Sequence, residues 1–285
     1  MPAIARPTKP LAKVNVYEKQ KDGSCKIEVC FLPDLVKVFG AEAESKAVLG
    51  LDASRSMYDM YGAQTGPFPD PNKPNCVQLV ARKLGDILSG GTKSGKATAF
   101  YWAMNAAGDG TKVIGELDAA GWSNVKISGP QRTAEWGRGT KLLPALKLVV
   151  DQIHQGSDFT MAVIITDGII EDEKDCMDYC MKVGAGLAGG KVKPLKMVLV
   201  GVGQEVDEDQ LSRLDDMFEG TNLEGKVDLW STGTVASMQD ESDIYGVLFG
   251  ELMDADTEIA RSGRVETRSG KELISWTDGM PGKFS

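Results

Sequence analysis

Hydrophobic residues along the chain recur with two different periods. Dense apolar runs cover 47–52, 98–104, 160–166 and 195–202. Each is too short for a helix of ordinary length and carries no polar alternation, the pattern of strands buried on both faces. Between them lie segments apolar every three or four residues. In 76–88 these positions are Val77, Val80, Leu84, Ile87 and Leu88; in 141–154 they are Leu142, Leu143, Leu146, Val149, Val150 and Ile153. Helices are predicted there and over 171–187, 207–218 and 240–253. Pro144 falls early enough in its helix to be tolerated. Shorter runs at 125–128 and 227–230 predict brief strands, and 113–117 reads as a strand or a short helix.

The two ends of the chain show a different period. Residues 13–18 and 25–31 alternate around a segment containing Asp22-Gly23, and 263–268 and 272–276 flank Ser269-Gly270-Lys271. Both read as β-hairpins. The expected class is therefore α/β, with a doubly wound, mostly parallel central sheet, helices on both faces, and a small β element from the N- and C-terminal hairpins. The expected divisions are an N-terminal arm and hairpin over 1–45, the α/β layer domain over 46–254, and a C-terminal hairpin over 255–285, packed with the first or extending the main sheet.

Composition narrows the function classes. With 32 Lys and Arg against 41 Asp and Glu the formal charge is -9, so phosphate backbones are repelled and nucleic acid is not an expected partner. Residues 1–10 lead into no apolar core of a signal peptide and no run is long enough to span a membrane, which makes cytoplasm the expected address. The five cysteines are few and odd in number, against a disulfide scaffold, and with no C-x-x-C pair a structural zinc site is not expected. Gly90-Gly91-Thr92-Lys93-Ser94-Gly95-Lys96 imitates a phosphate loop, but Ala97 replaces the required hydroxyl and the segment leads from a helix into a strand.

Candidate chemistry gathers where strands end. Asp52, Ser54 and Ser56 follow the first dense strand at alternate positions, Thr140 precedes a helix after Gly137 and Gly139, and Asp167 follows the densest strand. In an open α/β sheet the carboxyl ends of neighbouring strands meet where the strand order reverses. Two carboxylates and three hydroxyls there suit a hard cation, Mg2+ first, with Mn2+ or Ca2+ as rivals. Thr133 is a second candidate for the threonine. His154, at the far end of the 141–154 helix, is poorly placed as a general base. The acids Glu171, Asp172, Glu173 and Asp175 read as helix N-terminal charges facing solvent, the alternative being a weak Ca2+ or tuning role.

Asp52-x-Ser54-x-Ser56, a distant Thr140 and then Thr166-Asp167-Gly168, in that order, resemble the metal-ion-dependent adhesion site of the von Willebrand factor A family. The resemblance covers about residues 46–254. It implies metal contacts from Asp52, Ser54, Ser56 and Thr140, a water-mediated role for Asp167, and Mg2+-dependent binding of a protein partner whose Asp or Glu completes the coordination. Arg138-Gly139-Thr140 departs from the Gly-Gly-Thr often found in the family, and 58–75 is longer than the usual loop. Tyr58, Met60, Tyr61 and Phe68 in that loop are candidate partner contacts or packing residues. With no secretion signal, the chain looks more like intracellular bacterial members of the tellurite-resistance and stress type. That implies a non-enzymatic scaffold or assembly role, with an ATPase among the candidate partners. The competing readings are a hydrolase or phosphotransfer enzyme using Asp52 or Asp167, and the same fold with a degenerate metal site.

Overall fold

The computed structural model describes residues 11–16, 27–31, 44–63, 73–203, 205–235, 258–260, 262–267, 269–277, 280–281 and 283–284. The Asp22-Gly23 turn, Phe68 and the helix expected over 240–253 lie outside them. The chain divides into two compact units, Met1–Asp34 with Leu248–Ser285, and Leu35–Val247. In the smaller unit β1 (Leu11–Val16) pairs antiparallel with β2 (Ile27–Phe31), and Lys283–Phe284 joins the other edge of β2. Gly263–Glu266 and Glu272–Trp276 form the expected antiparallel pair.

The larger unit is a mixed α/β structure built on a six-stranded sheet. Its strands are β3 (Ser45–Asp52), β4 (Lys96–Met104), β5 (Gly110–Asp118), β6 (Phe159–Thr166), β7 (Leu195–Val202) and β8 (Trp230–Val235), in the order β5-β4-β3-β6-β7-β8. All neighbours are parallel except β5, which runs antiparallel to β4 on one edge. The order grows outward in both directions from β3 and β6, so their carboxyl ends mark the switch point. The helices are α1 (Cys76–Gly90), α2 (Ala119–Asn124), α3 (Leu143–Lys147), α4 (Glu173–Ala188) and α5 (Glu208–Asp215).

The dense apolar runs became the central strands because both their faces are covered. Val48, Ala162, Ile164, Met197 and Leu199 belong to one buried cluster with Leu142, Leu146 and Val149, with Cys176, Cys180 and Val183 of α4, and with Leu211 and Leu214 of α5. Burying each large side chain of this kind stabilises the fold by roughly 1.5–3 kcal/mol. α1 buries Val77, Val80, Leu84 and Leu88 against β3 and β4, and Asn75 caps it by accepting from Gln78 N at 2.8 Å.

Three expected elements differ. Residues 125–128 form no strand, because side chains of α1 and its cap take their backbone groups: Arg82 donates to Val125 O, Asn75 to Ile127 O, and Ile127 N donates to Gln78 Oε1. The strand expected at 227–230 begins only at Trp230 and runs on through a Gly-Thr segment. The 141–154 helix is α-helical only to Lys147 and continues as a π-helix over Leu148–Ile153, where His154 N reaches back to Val149 O at 2.7 Å.

Candidate functional site

β3 and β6 lie side by side and stop at the same level, so the residues leaving them face each other. Asp52, the last residue of β3, is fully buried. Its Oδ1 accepts from Ser54 N at 2.7 Å, and its Oδ2 accepts from Thr166 Oγ1 at 2.7 Å. The first bond folds the chain back immediately after the strand; the second ties β3 to β6. Ser54 Oγ and Ser56 Oγ are 2.9 Å apart, and Ser56 Oγ donates to Asp167 Oδ1 at 2.7 Å. A hydrogen-bonded chain thus runs from Thr166 through Asp52, Ser54 and Ser56 to Asp167.

Thr140 reaches the same place by another route. The loop before it lies against the sheet through Arg55 N to Gly137 O at 2.9 Å and Gly137 N to Ala53 O at 3.0 Å. A Cβ at Gly137 would fall 1.8 Å from Ala103 O, so only glycine allows this approach. The facing end of β4 is itself unusual, with Ala103 and Asn105 at φ 53° and 69°. Thr140 is buried, and its Oγ1 would lie 3.4 Å from a Cβ built on Gly168, with Ser56 Oγ at 4.0 Å. The two hydroxyls therefore flank Gly168 together. Thr133 sits exposed in the short 3-10 turn Thr133–Glu135. Of the sequence-expected residues, Asp52, Ser54, Ser56, Thr140 and Asp167 are brought together, and Thr133 is not.

The two carboxyl groups are held in an environment that disfavours charge. Burial pushes Asp52 up to about 6, against hydrogen bonds from Thr166 and Ser54 that favour the anion. Burial, then the nearby Asp52 charge, pushes Asp167 up to about 7. Above them opens a groove of about 720 Å³ whose lining includes Ser54, Ser56, Thr140 and Gly168 together with exposed Arg55, Arg138, Ile169, Glu171 and Glu205.

Sequence reasoning missed several supporting residues. Thr166 was visible only as a neighbour of Asp167, although a hydroxyl on the last strand residue can cross to the adjacent strand. Asp172 is not a solvent-facing helix acid: its carboxylate accepts from Leu142 N and Leu143 N at 2.8 and 3.0 Å, holding the start of α3 just after Thr140. Glu173 is ion-paired with Arg213 at 2.6 Å. Tyr61 is a packing residue, its ring against Trp136 and Tyr101 and its hydroxyl donating to Asp52 O at 2.9 Å.

Among the described residues no group of three or more His, Cys, Asp or Glu stands together as a metal site, and none of the helices is long and apolar enough to cross a membrane. His154 is buried in a separate polar cluster, its Nδ1 within 2.9 Å of Thr160 Oγ1 and 3.0 Å of Ser157 Oγ. Thr160 is at the start of β6 and Thr166 at its end, about 20 Å apart by strand rise.

No family model matches the sequence, and no curated protein does. Among solved structures the chain is similar to the PilB minor pilin from Streptococcus sanguinis, with 11% identity and a TM-score of 0.44, and to its D319A mutant, with 11% identity and a TM-score of 0.46. Each likeness covers 74% of this chain, and 61% and 62% respectively of the pilin chains, less than two thirds of their length. The identification as a von Willebrand factor A member is corrected: no family model and no curated protein supports it, and among the described residues no group of three or more His, Cys, Asp or Glu stands together as a metal site. With it go the adhesion-site label, the tellurite-resistance and stress setting, and the Mg2+-dependent intracellular scaffold.

Proposed function

We propose that the strand-end cluster binds a divalent cation, Mg2+ in the first instance with Mn2+ and Ca2+ as alternatives, and that the site takes up a carboxylate from an acidic side chain of a protein partner. The observation that carries this reading is the pair of buried carboxyl groups, Asp52 and Asp167, joined through Ser54 and Ser56 by hydrogen bonds of 2.7–2.9 Å. The donor set is all oxygen, as a hard cation prefers. Burial raises the pKa of both acids and the Asp52 charge raises that of Asp167 further, so a bound cation would offset the cost of ionising them.

The residues that would hold the ion are Asp52, Ser54, Ser56, Thr140 and Asp167. When bound, the ion would supply a coordination position open to an outside oxygen. The chain does the rest. Thr166 and the Ser54 amide fix the Asp52 carboxylate, Ser56 orients Asp167, and the glycines at 137 and 139 let Thr140 approach. Binding rather than catalysis is the favoured reading, since His154 belongs to the opposite end of β6. The reading also takes the sheet as doubly wound with helices on both faces, which the outward growth from β3 and β6 supports. An ATPase is one class of acidic partner to try.

Calorimetric titration with Mg2+ of the wild type, Asp52→Asn and Thr140→Val tests the reading. Expected is one site in the wild type, lost in Asp52→Asn and weakened in Thr140→Val. No heat and no thermal stabilisation by Mg2+, Mn2+ or Ca2+ in the wild type would overturn it.

A further inference from the structure

We propose that Arg55 and Arg138 form a second anion subsite beside the strand-end oxygens, so that the ligand is a protein segment carrying two carboxylates, one for the cation and one for the arginine pair. This rests on the reading of the site given above. The two arginines come from separate segments that the fold joins: Arg55 N donates to Gly137 O at 2.9 Å, which places the backbone of Arg55 beside that of Arg138. Both side chains are exposed and both line the groove. Among the described residues neither guanidinium is ion-paired, whereas Lys73, Lys93, Lys196 and Arg213 all are.

The cluster beside them is acidic, and Glu171 and Glu205 line the same groove. Two arginines left unpaired so near to acids hold positive charge at the mouth of an otherwise negative site. A monocarboxylate satisfied by the cation would leave both guanidinia unused. A second carboxylate can take a guanidinium through two parallel N–H donors, a geometry lysine does not offer. Ile169, 56% exposed on the same groove, adds an apolar contact that a peptide segment can cover and a free diacid cannot.

Three blocked hexapeptides provide the test: one with two glutamates, one with a glutamate and a glutamine, and one with a glutamate and a phosphoserine. Each is titrated at saturating Mg2+ into the wild type and into an Arg55→Gln, Arg138→Gln double variant, after circular dichroism has shown both folded. A separate Mg2+ titration precedes these. Expected is a diacid that binds the wild type about tenfold more tightly than the monoacid, with the ratio falling to near one in the double variant. A ratio near one in the wild type with Mg2+ bound, or a ratio that survives in the double variant, overturns the arginine subsite while leaving the cation site standing. A phosphoserine peptide bound more than tenfold above the diacid overturns the carboxylate in favour of a phosphorylated ligand. Absence of Mg2+ binding in the first titration overturns the underlying reading, and the subsite with it.

Discussion

Ser56 Oγ donates to Asp167 Oδ1 at 2.7 Å although the two residues are 111 positions apart. One stands in the turn after β3, the other directly after β6, and their contact ties the two segments together at the floor of the groove. Removing the hydroxyl by Ser56→Ala leaves Asp167 without a donor that favours its charged form, so its pKa rises further. Carboxyl titration followed by NMR at that residue, moving upward from about 7, is the expected outcome.

The pair of raised carboxyl pKa values makes stability depend on pH with a definite sign. Asp52 and Asp167 bind protons more tightly folded than unfolded, so their contribution is full below about pH 4 and is lost as pH rises through about 6 and 7. The cation-free protein should lose on the order of 3 kcal/mol across that window for Asp52 alone. Asp52→Asn keeps the shape, since its amide can donate to Thr166 Oγ1 while its oxygen accepts from Ser54 N. Urea denaturation at pH 4 and pH 8 should show the loss in the wild type, reduced by added Mg2+, and only the part due to Asp167 in Asp52→Asn.

Thr140 and Thr133 separate cleanly by substitution. Thr140→Val removes a buried hydroxyl without changing the side chain's shape, and Mg2+ affinity should fall about tenfold or more. Thr133→Val alters an exposed turn and should leave that affinity unchanged. Equal effects in the two calorimetric titrations would remove Thr140 from the site.

Gly85 on α1 faces the Trp122 ring, where a Cβ would fall 2.1 Å from the ring atoms. Gly85→Ala should destabilise the protein by about 1–3 kcal/mol through overpacking, seen as a lower urea midpoint with unchanged slope. Gly137→Ala drives a methyl into Ala103 O and displaces the loop that carries Thr140. It should lower both stability and Mg2+ response, whereas Gly85→Ala should lower only stability.

His154 has the opposite pH sign to the acids. Burial holds its pKa below the usual value, with Lys46 adding to the effect. The unfolded chain therefore takes up a proton first, and stability falls as pH drops below about 6.5. Ser157 and Thr160 face the ring at Nδ1. His154→Gln should cost about 1 kcal/mol at pH 8 and enlarge the rise in melting temperature that the two acids give between pH 7 and 5.

The sequence made the central strands easy to read because β3, β6 and β7 are covered on both faces, and their apolar runs have no other explanation. The five oxygen-bearing residues were legible for a similar reason: an acid or hydroxyl just past such a run has nowhere to go but the strand end. What the residues could not reveal was settled by tertiary neighbours. The 125–128 segment has the composition of a strand, yet its backbone is claimed by Arg82, Asn75 and Gln78. Asp172 looked like an ordinary helix acid until α3 was placed across from it. The family identification failed for a different reason. Five side chains in the right order describe the geometry of a strand end, and such geometry does not establish common descent.

The strand order has a consequence for folding. Asp52, Ser54 and Ser56 are made early on the chain, but the acid they face arrives only after β6 has closed against β3 across more than a hundred residues. The site is thus a product of long-range closure, the slow kind of contact in folding. A nascent chain halted before Phe159 carries half a site and no opposing carboxylate. Ligand response, once measured, doubles as a report that the middle of the sheet has zipped together.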